Sequence, residues 1–175
     1  MRNNITAQAA VTDSVPAHYW TNSLCRILLV DDDHDLRSFI AALLVRYGYH
    51  VDTAGDGASG WRALKNHRYD VLITDNTMPG VTGLELIKKL RSEDMTLAVI
   101  MASGTVPTEE LILNPWLNID ALLTKPYTFD KLVETVDEVL HKTITDRKAI
   151  ADRTRSKSTA AKKRIWATVG KSQGL

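Results

Sequence analysis

Short apolar runs punctuate the chain: RILLV at 26–30, DVLIT at 70–74, TLAVIMA at 96–102 and DALLT at 120–124. Their density of Val, Ile and Leu is that of strands buried on both faces of a parallel sheet. HVDTA at 50–54 reads as an edge strand. Helical patterns fill the gaps. Leu36, Phe39, Ile40, Leu43, Leu44 and Tyr47 recur at three and four, and Gly48 follows as a left-handed stop. A second helix is expected over 56–67 around Trp61 and Leu64. A third starts at Gly83, where Thr82 and Glu85 have capping-box spacing and Leu84, Leu86, Ile87 and Leu90 supply the apolar side. Pro107, Glu109 and Glu110 open a short fourth helix that Asn114-Pro115 stops. Thr128 caps the last, with Leu132, Val133, Val136, Val139 and Leu140 inward. Strand and helix alternate five times, which predicts an α/β fold with a doubly wound sheet. Trp61, Trp116 and Tyr69 read as packing residues.

The pattern divides the 175 residues into three parts. Residues 1–23 are polar, contain Pro16 and show no sustained period, so they read as a flexible leader whose His18, Tyr19 and Trp20 are able to tuck against the domain. Residues 24–141 form the domain. Residues 142–175 hold ten lysines and arginines against Asp146 and Asp152, a net +8; with the whole chain at +1, the preceding part carries −7. This tail is read as a disordered or partly helical solvated segment; the functional reading set against it includes AAKKRIWATVG as a small basic amphipathic anchor with Ile165, Trp166 and Val169 on one side. Its electrostatic alternative is an arm for nucleic acid, an anionic surface or an acidic partner, or one that folds back on the acidic domain. The single cysteine, Cys25, has no disulfide partner and no neighbour at metal-ligand spacing, so it is expected to pack as a small hydrophobe. No window approaches the roughly 18 apolar residues of a membrane span, and the N-terminus lacks the pattern of a signal peptide. A cytoplasmic location is the simplest expectation.

Five polar residues stand directly after the apolar runs: Asp31 and Asp32, Asp75, Ser103 and Lys125. In a parallel sheet the strand ends gather at one edge, where ligands of open α/β folds bind. Three carboxylates there would repel unless a divalent cation and a lysine offset them, and magnesium prefers such hard oxygen donors. Ser103 adds a hydroxyl, and Gly104 lets its backbone N–H approach a ligand. Phosphoryl transfer asks mainly for positioning and charge neutralisation, which this set supplies. Asp33 reads as a helix cap and His34 as an exposed neighbour.

These motifs resemble the receiver domain of two-component response regulators, the CheY-like family, over roughly residues 25–141. ILLVDDDHDLR, DVLITDNTMPGVTGLELIKKLR, VIMASGT and LLTKPYTFDKL carry the likeness, including Met78-Pro79 and Gly83. The resemblance implies a five-stranded parallel sheet in the order 2-1-3-4-5 flanked by five helices. It makes Asp75 the phosphoacceptor. Asp32, Asp75 and the Thr77 carbonyl would bind Mg2+ (or Mn2+) directly, with Asp31 acting through water. Ser103 and Lys125 would hold the phosphoryl oxygens, and Lys125-Pro126 would be a cis bond that aims the lysine inward. The phosphodonor would be a sensor histidine kinase or phosphotransfer protein, and the chemistry would be limited to the domain's own phosphorylation and hydrolysis. Thr77 and Thr105 occupy the positions that tune phosphate lifetime, and neither points to unusual stabilisation.

Two features depart from the family. Leu122 stands where a switch aromatic is usual, and the fourth helix is short and ends in Asn114-Pro115-Trp116, with Trp116 expected to anchor the loop. About 34 residues follow the domain, too few for a usual output domain, so a stand-alone receiver signalling to a downstream protein is expected. The rival expectation is a nucleic-acid-associated regulator whose tail 142–175 is the effector gated by the receiver. A haloacid-dehalogenase-type phosphatase, a class with a strand followed by Asp-x-Asp, needs a substrate cap for which this chain has no room, and a dinucleotide-binding fold needs a Gly-rich turn where VDDDHD stands here.

Overall fold

The computed structural model describes residues 25–169, with side chains up to Arg155. The leader expected over 1–23 and the side chains of Ile165, Trp166 and Val169 lie outside the described residues. Strands β1 (Arg26–Val30), β2 (His50–Ala54), β3 (Val71–Asp75), β4 (Ala98–Ser103) and β5 (Ala121–Thr124) pair in parallel in the order β2-β1-β3-β4-β5. Helices α1 (His34–Arg46), α2 (Gly57–Asn66), α3 (Gly83–Ser92), α4 (Thr108–Leu113) and α5 (Phe129–Val169) connect or follow them, with a 3-10 turn at Pro115–Leu117.

Alternation along each strand splits the apolar residues between two layers. Ile27, Leu29, Val71, Ile73 and Ile100 face α1 and α5, where Ile40, Leu44, Leu132, Val136 and Leu140 meet them. Leu28, Val30, Leu72, Val99 and Met101 face α2 and α3, packing on Leu64, Leu86, Ile87 and Leu90. Burying each such side chain contributes about 1.5–3 kcal/mol, so the sheet's position between the helices is set by these two rows. The registers Asp75↔Ala102 and Ser103↔Thr124 then bring the ends of β3, β4 and β5 level.

Local chemistry sets the helix ends. Asp33 accepts from the Asp35 and Leu36 amides at the start of α1, and Gly48 takes a φ of 90° just past its end. Thr82 and Glu85 form both halves of a capping box on α3. Thr128 Oγ1 accepts from the Lys131 amide at 3.2 Å.

Some packing expectations change. Phe39 is 52% exposed, and its ring lies 4.5 Å from that of Phe129, joining α1 to α5 at the rim. Trp61 is half-buried under the ammonium groups of Lys89 and Lys65, at 4.7 and 5.5 Å. Tyr69 is buried as expected, but Trp116 is not a packing residue: it is 52% exposed, because the 3-10 turn sends Leu117 inward instead. Its Nε1 donates to Asn114 Oδ1 at 3.1 Å.

Helix α5 runs for 41 residues and carries most of the region read as a tail. No proline or glycine interrupts the chain between Phe129 and Val169, so nothing local stops the helix where the core ends. It is tied down twice below the sheet. The Tyr49 hydroxyl donates to Asp137, and Arg147 Nη1 donates to Asp70 Oδ1 at 2.8 Å. Asp70 also accepts the Arg26 amide at 3.0 Å, so it links the starts of β1 and β3 to the far part of α5. Cys25 is buried nearby, and burial pushes its thiol pKa up. Among the described residues no helix is long and apolar enough to cross a membrane.

Candidate functional site

The C-terminal edge of the sheet collects the residues singled out in the sequence. Asp31 is 2% exposed, Asp75 8%, and Asp32 is open to solvent. One carboxylate oxygen from each lies within 4.8 Å of the others. Lys125 arrives from the end of β5 and places Nζ 2.8 Å from Asp75 Oδ2 and 3.3 Å from Asp31 Oδ2. The Lys125-Pro126 peptide is cis.

The two buried acids are held from the backbone side. Asp31 Oδ1 accepts the Asp33 amide at 2.9 Å, and Asp75 Oδ1 accepts the Thr77 amide at 3.1 Å. Burial raises the Asp31 pKa, against the opposing pull of the Asp33 amide and of Lys125. Burial alone would lower Lys125, but the Asp75 hydrogen bond and the charges of Asp31 and Asp75 outweigh it, and its pKa is raised. The lysine is therefore held as a cation by the groups it neutralises.

The loop after β3 is fixed by close approach. A Cβ on Gly83 would lie 2.2 Å from the Asp75 carbonyl oxygen, and one on Gly57 would lie 2.4 Å from that of Val81. Asn76 Oδ1 accepts the Leu84 amide at 3.1 Å, which joins the loop after Asp75 to the start of α3. At the end of β4, Ser103 is buried, and its hydroxyl is turned into its own loop: Oγ donates to the Thr105 carbonyl at 2.5 Å and accepts the Thr105 amide at 3.2 Å. Next to it Gly104 is exposed, with open space where a side chain would stand.

Asp31, Asp32, Asp75 and Lys125 thus form one cluster, with Ser103, Gly104 and Thr77 on adjoining strand-end loops. Arg37 and Asn76 had not been singled out. Arg37 Nη1 donates to the Asp31 carbonyl at 2.5 Å from the second turn of α1, a place reached only once the helix forms. Leu122 is 43% exposed on β5, while Tyr127 is partly buried against the α1–α5 layer, which raises its phenol pKa.

The sequence matches the response regulator receiver domain family over residues 27–137. It is 33% identical over 120 residues to the response regulator receiver protein CpdR of Brucella abortus, covering 66% of this chain and 96% of that one. Other curated relatives, such as the response regulator RppA of Synechocystis, are longer, and the chain spans about half their length. Among solved structures, the receiver domain of Francisella response regulator 1452 has a TM-score of 0.63 at 30% identity, covering 68% of this chain and 98% of that one. The response regulator TrrA of Thermotoga maritima, solved in complex with Mg(2+)-BeF, has a TM-score of 0.58 at 30% identity, covering 66% and 98%. With this match running from β1 into α5, the chain belongs to the response regulator receiver domain family of two-component systems.

Proposed function

We propose that this chain is a stand-alone, cytoplasmic response regulator that receives a phosphoryl group on Asp75 from a sensor histidine kinase or phosphotransfer protein and signals through protein contacts. The observation that carries the reading is the Lys125 ammonium 2.8 Å from Asp75 Oδ2, beside three carboxylates whose oxygens lie within 4.8 Å. CpdR, a receiver protein by its name and covered to 96%, supports the stand-alone part.

The donor set suits a hard divalent cation, Mg2+ or Mn2+, held by Asp31, Asp32 and Asp75 with the Thr77 carbonyl as a further oxygen. Bound there, the cation would offset charge on the phosphoryl oxygens. In the transfer, an Asp75 carboxylate oxygen attacks the phosphorus of a phosphohistidine. The new O–P bond forms as the P–N bond breaks, and the imidazole nitrogen leaves with the electron pair. Lys125 neutralises the anion from its present position, and Ser103, on releasing the Thr105 carbonyl, offers a hydroxyl at the neighbouring strand end. Water later cleaves the acyl phosphate, so the chemistry is confined to the domain's own phosphorylation and hydrolysis.

Intact-protein mass after incubation with acetyl phosphate and magnesium tests this. Wild type gains one phosphoryl group and Asp75→Asn gains none. A folded wild type that stays at its starting mass overturns the reading.

A further inference from the structure

We propose that the outer part of α5 is an arm that binds duplex DNA through its phosphates, lying along the major groove. The proposal rests on strong charge carried by a helix that leaves the domain. Up to Leu140 the helix packs Leu132, Val136 and Leu140 under the sheet, but every residue from Ile144 to Arg155 is exposed. Arg147 anchors the exit through Asp70, which precedes β3. The arm therefore departs at the sheet edge opposite the acidic cluster, away from the carboxylates that would otherwise attract it. Positions 148–169 hold seven lysines and arginines against Asp152. Among the described residues, Lys148 and Arg153 make no ion pair.

Placement around the helix decides which polyanion fits. At 3.6 residues per turn, positions 150, 154, 158, 161 and 165 fall in one uncharged stripe of Ile, Thr, Ser, Ala and Ile. Arg153, Lys157 and Arg164 follow one border of the stripe; Lys148, Arg155 and Lys162 follow the other. A rod about 10–12 Å across with basic borders on both sides matches phosphates flanking a major groove about 12 Å wide. The stretch from 148 to 169 is about 33 Å long, close to one turn of the duplex. Double-stranded RNA fits less well, because its major groove is deep and narrow. A membrane-lying helix needs a bulky apolar face along its length, whereas here the bulky apolar residues gather at the far end, in Ile165, Trp166 and Val169, and threonine, serine and alanine separate them from Ile150.

The test is fluorescence anisotropy of the full chain with a labelled, mixed-sequence DNA duplex of about two turns, titrated at salt concentrations from about 50 to 200 mM. Binding is expected with a Kd of about 1–100 μM near physiological salt, and log K should fall against log salt with a slope of about −5. Arg153→Gln/Lys157→Gln/Arg164→Gln should weaken binding at least tenfold and reduce the slope by about 3. Arg153→Lys/Arg164→Lys should bind as wild type, which separates lost charge from a lost helix. No binding at about 50 mM salt, an unchanged triple variant, or tighter binding to phosphatidylserine vesicles or double-stranded RNA than to the DNA duplex overturns the proposal. The titration contains no phosphodonor, so its outcome is independent of the acetyl phosphate assay.

Discussion

Lys125 Nζ lies between Asp75 Oδ2 and Asp31 Oδ2, at 2.8 and 3.3 Å, joining residues 50 and 94 positions apart. One cation thus holds together two carboxylates that are both largely buried. Removing it leaves them facing each other uncompensated. Lys125→Met should cost about 1–3 kcal/mol in EDTA, and magnesium should restore more stability to the variant than it adds to wild type. Thermal melts with and without the metal check this, and an equal or smaller magnesium response in the variant would contradict it.

The loop that carries Asp75 depends on a missing side chain. A Cβ at position 83 would press on the Asp75 carbonyl and the Asn76 backbone, which cannot rotate away as a flexible side chain would. Gly83→Ala should destabilise by about 1–3 kcal/mol and, on the function proposed for Asp75, also slow phosphoryl uptake, since the clash displaces the Asp75 backbone. Gly104→Ala is the control: nothing lies within 4 Å of the added carbon, so stability should remain near wild type.

The strand ends were legible in the sequence because each apolar run breaks at a charged or hydroxyl-bearing side chain, as at Val30-Asp31 and Thr74-Asp75. The Thr82–Glu85 cap and the Gly48 stop were legible for a similar reason, since both act over a few residues. Trp116 was misread because size and hydrophobicity say nothing about which way a 3-10 turn points. Arg147–Asp70 left no local trace at all, being an ion pair across 77 positions. The length of α5 had a signal of a different kind. Apolar spacing fades after Leu140, but the first helix breaker is Gly170, and helix propensity carries the backbone where packing no longer does.

Below the sheet, Tyr69 donates to Asp52 Oδ2 at 2.7 Å while Arg26 holds the same oxygen at 2.6 Å and lies over the Tyr69 ring. Burial, with the Asp52 hydrogen bond, pushes the Tyr69 phenol up to about 12. A raised pKa means stability that is fully present below the ordinary tyrosine value of about 10 and is lost as pH climbs through the folded value. Denaturation midpoints for wild type should therefore fall more steeply than those of Tyr69→Phe between about pH 10 and 12. For Asp52, burial pushes upward but the Tyr69 and Arg26 hydrogen bonds prevail and its pKa is lowered. Its contribution is present above about pH 4 and is lost on acidification below it, so the pair's contribution to stability is flat through neutrality.

Arg91 joins α3 to the start of β4 and to the 3-10 turn by donating to the carbonyls of Met95, Leu97, Leu117 and Asn118 at 2.7–3.0 Å. Burial lowers its pKa, with Asp120 opposing. A lysine keeps the charge but cannot span four acceptors from one planar group. Arg91→Lys should cost about 1.5–3 kcal/mol, measured by urea denaturation, with no loss of Asp75 phosphorylation at temperatures where the variant is folded.

The unbroken backbone of α5 lets one element serve both edges of the domain. Its first turn holds Phe129 against Phe39 near the acidic edge, and Arg147 meets Asp70 at the opposite edge. From that last anchor about 33 Å of helix runs on to Val169. A tilt of about two degrees about the ion pair would sweep the distal end through about 1 Å.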